Sequence, residues 1–306
     1  LIEFVNCKNA WVTDVTIKNA ASWVQSYDRC ENLVIDHIRV ESDAYWNNDG
    51  IDILDCRKVW IRNSYINASD DGICIKSIAP FFKIDAGCDS IFVTNCTVRS
   101  SASAIKFGTW SFGKMRNIVI KDIKVFDTFR SAIALEMVDG GLIEDILVEN
   151  IKAVNTGNAV FIRLADRVKD KPPGILRNVM IRNMKVQVPV GAPDAAYEMR
   201  GPALPFFHNV FPSSITGIPG HPVQNVTLEN IEITYPGGGN PAYANLPLSR
   251  LQDVPEQIAT YPEFSVFGEL PAWGFYVRHA EGITMRNIKL KIKKADYRPA
   301  MVFDDV

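Results

Sequence analysis

Apolar residues recur along this chain in short runs of period two, and the runs themselves recur. The first reads Cys7-Lys8-Asn9-Ala10-Trp11-Val12-Thr13-Asp14-Val15-Thr16-Ile17: an apolar residue, two polar ones, then alternation around an Asp. Equivalent units begin at Cys30, Cys56, Cys88, Met115, Ile143, Leu176, Val223 and Ala280, nine copies in all. The first six starts are spaced by 23, 26, 32, 27 and 28 residues, and the later ones by 33, 47 and 57. Alternation with period two predicts strands. The unit is too short for a four-stranded propeller blade, and its second half lacks a helical or leucine-rich pattern. It suits one turn of a parallel β-helix, right-handed because parallel crossovers almost always are. The expected fold is all-β: one right-handed parallel β-helix over residues 1–306, with loop insertions at about 187–222 and 236–274. The chain opens at Leu1 directly on a strand pattern, so earlier coils are expected to be missing.

Stacked coils align equivalent residues into columns about 4.8 Å apart. The column Cys7, Cys30, Cys56, Cys88, Met115, Ile143, Leu176, Val223, Ala280 is apolar or Cys throughout and is expected to face the core. Four of the six cysteines fall in it, which favours buried structural thiols over a metal site, with room for one disulfide between adjacent coils. A second column reads Asp14, His37, Asn63, Asn95, Asp122, Asn150, Asn183, Asn230, Asn287. Asn and Asp suit tight bends, so this column predicts a polar ladder at a turn. His37 sits in that ladder and is expected to be structural.

Composition narrows the function classes. A net charge of −2 gives no basic footprint for nucleic acid. No apolar run reaches the roughly 18 residues of a membrane span. No feature calls for a cofactor, and an elongated solenoid with charged turns is expected to be a monomer.

The candidate chemistry lies in the strand after each repeat unit. Aligning Asn48-Asp49-Gly50-Ile51-Asp52-Ile53 with Asp70-Asp71-Gly72-Ile73-Cys74-Ile75 and Ala102-Ser103-Ala104-Ile105-Lys106-Phe107 stacks Asp49, Asp71 and Ser103, with Ser131 and Asn158 beyond. Asp70 stands beside Asp71, and Asp52 lies three residues after Asp49. Carboxylates this close resist joint ionisation, so one is expected to keep its proton near neutral pH. A protonated acid beside ionised carboxylates is the equipment for glycoside hydrolysis. The same residues also suit turns, and clustered Asp also binds calcium. Spacing alone leaves these readings open.

The motifs Asn47-Asn48-Asp49-Gly50-Ile51-Asp52 and Ser69-Asp70-Asp71-Gly72-Ile73-Cys74-Ile75-Lys76 resemble those of glycoside hydrolase family 28, the polygalacturonase family. The resemblance implies a pectin-lyase-like right-handed solenoid and an inverting hydrolase of pectic or related acidic glycans. It implies Asp70 as general acid, Asp49 and Asp71 as the residues that activate water, and a secreted or periplasmic location. Two departures stand out. Ser103 occupies the family's His position, and Ala134-Leu135-Glu136 replaces its Arg-Ile-Lys. Lys76, Lys106 and Arg163 share columns with the lost cations and are expected, with Asp52, Glu136, Trp46 and Trp110, to contact a poly- or oligosaccharide. The alternatives are a calcium-dependent polysaccharide lyase on the same scaffold, with Lys106 as base, and a glycan-binding β-helix without catalysis.

Overall fold

The computed structural model describes residues 1–169, 171–197 and 208–306. Every paired strand is joined in parallel to the equivalent strand of the next coil. The chain therefore winds as a β-helix with three ladders along its length. One ladder runs from Lys8–Thr13 through Glu31–Asp36, Arg57–Arg62 and Gly87–Thr94 into the long strands that follow. A shorter ladder climbs from Thr16–Lys18 through Arg39–Ser42 and Tyr65–Ala68. The ladder that matters for function stacks Gln25–Asp28, Ile51–Leu54, Ile73–Ser77 and Ile105–Ser111.

The core column is as expected: Cys88 pairs with Met115, Met115 with Ile143 and Ile143 with Leu176. One apolar cluster fills the coil interior. Its inward Ile, Val and Leu side chains drive the coil to close, because successive residues of a strand point to opposite faces. All six cysteines are free. Cys30, Cys56 and Cys88 are fully buried, and the Cys56 thiol donates to the Tyr27 carbonyl oxygen at 3.1 Å.

The Asn/Asp column forms the turn ladder. Its members share positive φ, from 57° at Asp14 to 51° at Asn287. Asn95 Nδ2 donates to Asn63 Oδ1 at 2.8 Å, and Asn287 Nδ2 to Asn230 Oδ1 at 2.7 Å. The left-handed region is cheapest for Gly, Asn and Asp, which explains the column's composition. His37 adopts the same conformation, with φ 52°, and pairs with Asp36 Oδ1 at 2.8 Å. A second ladder of this kind went unrecognised in the sequence: Asn9, Asn32, Lys58, Ser90, Asn117, Asp145, Asn178 and Asn225 also have positive φ.

The expected insertion at 187–222 is not loop throughout. Ser213–Thr216 is a strand of the functional ladder, paired with the strand before it and with Phe275–Arg278. The part of that insertion at 198–207 lies outside the described residues. The stretch within 236–274 is loop and short 3₁₀ turns, and it folds back across the outer face of the functional ladder. No helix among the described residues is long and apolar enough to cross a membrane.

Candidate active site

Asp49 and Asp70-Asp71 each precede a strand of the functional ladder, and the Gly after each pair fixes the chain there. Gly50 and Gly72 leave no room for a side chain: a Cβ would meet a carbonyl oxygen of the next coil at 2.6 Å in both cases. The register pairs Ile51 with Ile73 and Ile73 with Ile105, so Asp49, Asp71 and Ser103 stack. Asp49, Asp70 and Asp71 each place a carboxylate oxygen within 4.8 Å of the others. All three are buried. The Ser103 amide donates to Asp71 Oδ1 at 3.0 Å, and the Asp71 amide to Asp70 Oδ1 at 2.8 Å.

Two buried lysines balance this charge. Lys76 Nζ lies 2.7 Å from Asp49 Oδ2 and also bonds Asp52 Oδ1. Lys106 Nζ lies 3.1 Å from Asp71 Oδ2 and 3.5 Å from Glu136 Oε2. Burial opposes charge on both lysines, but Asp49 and Asp52 hold Lys76, and Asp71 and Glu136 hold Lys106, well into the charged form. Burial, reinforced by Asp52, pushes the Asp49 carboxyl up to about 7. Burial also pushes Glu136 up to about 7, against the pull of Lys106.

A pocket of about 130 Å³ opens over these groups, lined by the three Asp, both lysines, Trp23, Asn47, Thr109, Trp110 and Tyr261. Trp110 reaches it through a bulge. The register slips between Ile75 and Ser77, and Gly108 and Trp110 take positive φ. A bulge re-aims a side chain in this way. The Trp110 ring meets Trp23 edge-on at 5.4 Å, and Lys76 lies 3.9 Å over the Trp23 ring. A larger cavity of about 420 Å³ lies elsewhere, among groups such as Arg57 and Arg116 that pair with Glu31 and Asp89.

The other expected contacts are distributed differently. Asp52 is fully buried beneath Lys76 and acts on the pocket through it. Glu136 does not line the pocket; it sits behind Lys106. Arg163 lies apart from the site. Its guanidinium donates to the Gly217 carbonyl at 2.9 Å and the Glu256 carbonyl at 2.6 Å, anchoring the loop that folds back. Trp46 is 64% exposed and outside the pocket.

Several residues escaped the sequence reading. Trp23 stands in the Asp49 column one coil earlier, so extending that column would have found it. Arg130, two coils after Asp70 in its column, feels Asp71 and Asp70 and pairs with Glu263 at 2.7 Å. Tyr261 comes from the returning loop, and no periodicity announces it. Its hydroxyl accepts from Lys106 Nζ at 3.1 Å.

Comparisons with known proteins fit this arrangement. Residues 1–129, which carry both Asp motifs, match the model of glycosyl hydrolases family 28. A polygalacturonase of Persea americana is 26% identical over 168 residues, covering 53% of this chain and 34% of the relative. A polygalacturonase of Arabidopsis thaliana is 24% identical, covering 40% and 33%. The chain thus spans about a third of the length of the curated relatives it matches. An exopolygalacturonase of Thermotoga maritima shares the fold with a TM-score of 0.60 and 23% identity, over 76% of this chain and 49% of that one. A family 28 exopolygalacturonase of Yersinia enterocolitica superposes with a TM-score of 0.61 and 14% identity, over 95% and 47%. The paired Asp motifs thus lie inside the region, residues 1–129, that matches glycosyl hydrolases family 28, and the parallel solenoid around them is the fold of the exopolygalacturonase structures.

Proposed function

We propose that this chain carries the catalytic site of an inverting glycoside hydrolase acting on pectic or related acidic glycans, with no metal or other cofactor. The observation that carries the reading is the convergence of three buried carboxylates from two adjacent coils, flanked by two buried lysines, in a pocket with aromatic walls. Asp70 gives its proton to the glycosidic oxygen as the bond to the anomeric carbon breaks. A water held by Asp49 and Asp71 attacks that carbon and passes its proton to one of them. A proton acceptor pushed up to about 7, as Asp49 is, suits proton transfer near neutral pH.

The oxygens approach more closely than the ~6.5–9.5 Å usual between the carboxyl groups of inverting pairs. Close spacing ordinarily favours a carboxylate nucleophile. Asp49 and Asp71, however, are each tied to a lysine, which weakens them as nucleophiles and suits them to hold water. Inversion therefore rests on those ion pairs and on the match of residues 1–129 to family 28. A divalent cation would compete for the same oxygens with Lys76 and Lys106, which disfavours the calcium-dependent lyase.

Cationic groups around the pocket favour an acidic sugar. Lys76 and Lys106 line it, and Arg130 beside it keeps Nε without a hydrogen-bond partner among the described residues. A polysaccharide substrate also fits a secreted or periplasmic location. The test is reducing-sugar release from a panel of pectic polymers with EDTA present, wild type beside Asp70→Asn. Release by the wild type that is lost in the variant supports the reading. Release that survives the substitution, or that needs metal, overturns it.

A further inference from the structure

We infer that the loop Val254–Leu270 stops the substrate groove at Lys106, so that the enzyme trims its polymer from one chain end and does not cut internally. This rests on the hydrolase reading above. The outward face of the functional ladder carries Asp52, Cys74 and Lys106 in register. On the next coils the same column continues as Ala134 and Phe161, and then as Ser214 and Tyr276. After Lys106 the column thus turns apolar for two coils, and its one later polar member, Ser214, is buried.

The apolar stretch is covered. Val254, Phe264, Phe267 and Leu270 from the returning loop pack on Ala134, Phe161 and Tyr276 as a second buried cluster outside the coil. A glycan needs exposed partners, and Ala134, Phe161 and Tyr276 are all buried beneath the loop.

The loop's leading edge faces the site. Tyr261 hydrogen-bonds Lys106 and lies 5.4 Å from the Arg167 guanidinium, while Glu263 pairs with Arg130. The loop is also tied down. Arg163 holds the Glu256 carbonyl, Arg278 holds the Val254 carbonyl at 2.8 Å, and the Asp166 amide donates to the Ile258 carbonyl at 2.9 Å. Its buried apolar cluster and charged anchors make it a fixed wall. The pocket left in front of it, about 130 Å³, is smaller than the ~300–1,000 Å³ usual for whole small ligands. That size suits one sugar residue ending against Tyr261.

The experiment follows wild-type digestion of polygalacturonic acid by viscosity, by new reducing ends and by product size. The expected result is a single small product from the first time point, with viscosity nearly constant while reducing ends accumulate. An early ladder of intermediate lengths with rapid loss of viscosity would overturn the stop and leave the hydrolase reading standing. No new reducing ends from this or any other pectic polymer would remove the hydrolase reading and the stop with it. Tyr261 is 44% exposed, so Tyr261→Gly is expected to fold and to lose the single-product pattern. Retention of that pattern in the variant would show that the loop edge is not the stop.

Discussion

Lys106 Nζ sits 3.1 Å from Asp71 Oδ2 and 3.5 Å from Glu136 Oε2, joining three successive coils through one buried ammonium. Lys106 shares its column with Ala134, one coil later, while Glu136 shares its column with Arg163. Removing one partner of a buried pair is costly because the other charge stays buried. Lys106→Met is therefore expected to lower stability by roughly 3 kcal/mol and to raise KM for an acidic oligosaccharide. The double variant Lys106→Met/Glu136→Gln is expected to lose less than the sum of its single losses. Denaturant midpoints and steady-state kinetics on the three proteins check this; strict additivity with unchanged KM would contradict it.

Glu136 also predicts a pH dependence. Its folded value of about 7 exceeds its ordinary value of 4.5. The folded state thus holds the proton over a range where the unfolded chain has released it. The resulting stability is fully present below 4.5 and is lost as pH rises through 7, a change of roughly 3 kcal/mol. Asp49, raised in the same direction, adds a slope of the same sign. Unfolding midpoints measured from pH 4.5 to 8 should fall with pH in the wild type and fall less in Glu136→Gln. Parallel curves would contradict the assignment.

The two exposed tryptophans near the Asp motifs should behave differently. Trp110 lines the pocket and Trp46 does not. Trp110→Ala is expected to raise KM about tenfold, near 1.4 kcal/mol of lost contact with a sugar face. Trp46→Ala is expected to leave KM unchanged. Equal effects from the two substitutions would contradict the pocket assignment.

Arg163 is an anchor for the returning loop. Replacing it with Leu leaves the Gly217 and Glu256 carbonyls without their charged donor, a loss of roughly 1–3 kcal/mol. Limited proteolysis should then cut within 254–263 faster than in the wild type. An unchanged digestion pattern would contradict the anchoring role.

The coil and the carboxylates were legible in the sequence for one reason: stacking makes register visible as columns. The inward Cys, Met, Ile column and the Asn/Asp turn column are properties of each short unit repeated, and Asp49 over Asp71 follows from the same alignment. The contacts that escaped break that regularity. Tyr261 meets Lys106 across 155 residues of chain, through a loop with no period. Trp110 enters the pocket because its own strand bulges, with Gly108, Thr109 and Trp110 lying opposite the single residue Lys76 of the neighbouring strand. Arg163 shares the Glu136 column as expected, but the returning loop covers it and takes its donors. Column position tells which way a side chain points; it does not tell what folds back over it.

The most direct test of the central claim is the anomeric configuration of the first product. Digestion of a defined acidic oligosaccharide in D₂O, followed by proton NMR before mutarotation, reads it out. A single displacement by water held between Asp49 and Asp71, with Asp70 as acid, predicts a saturated product of inverted configuration. A retained anomer would make one of those carboxylates a nucleophile, and an unsaturated product would replace hydrolysis with elimination; either would contradict the account.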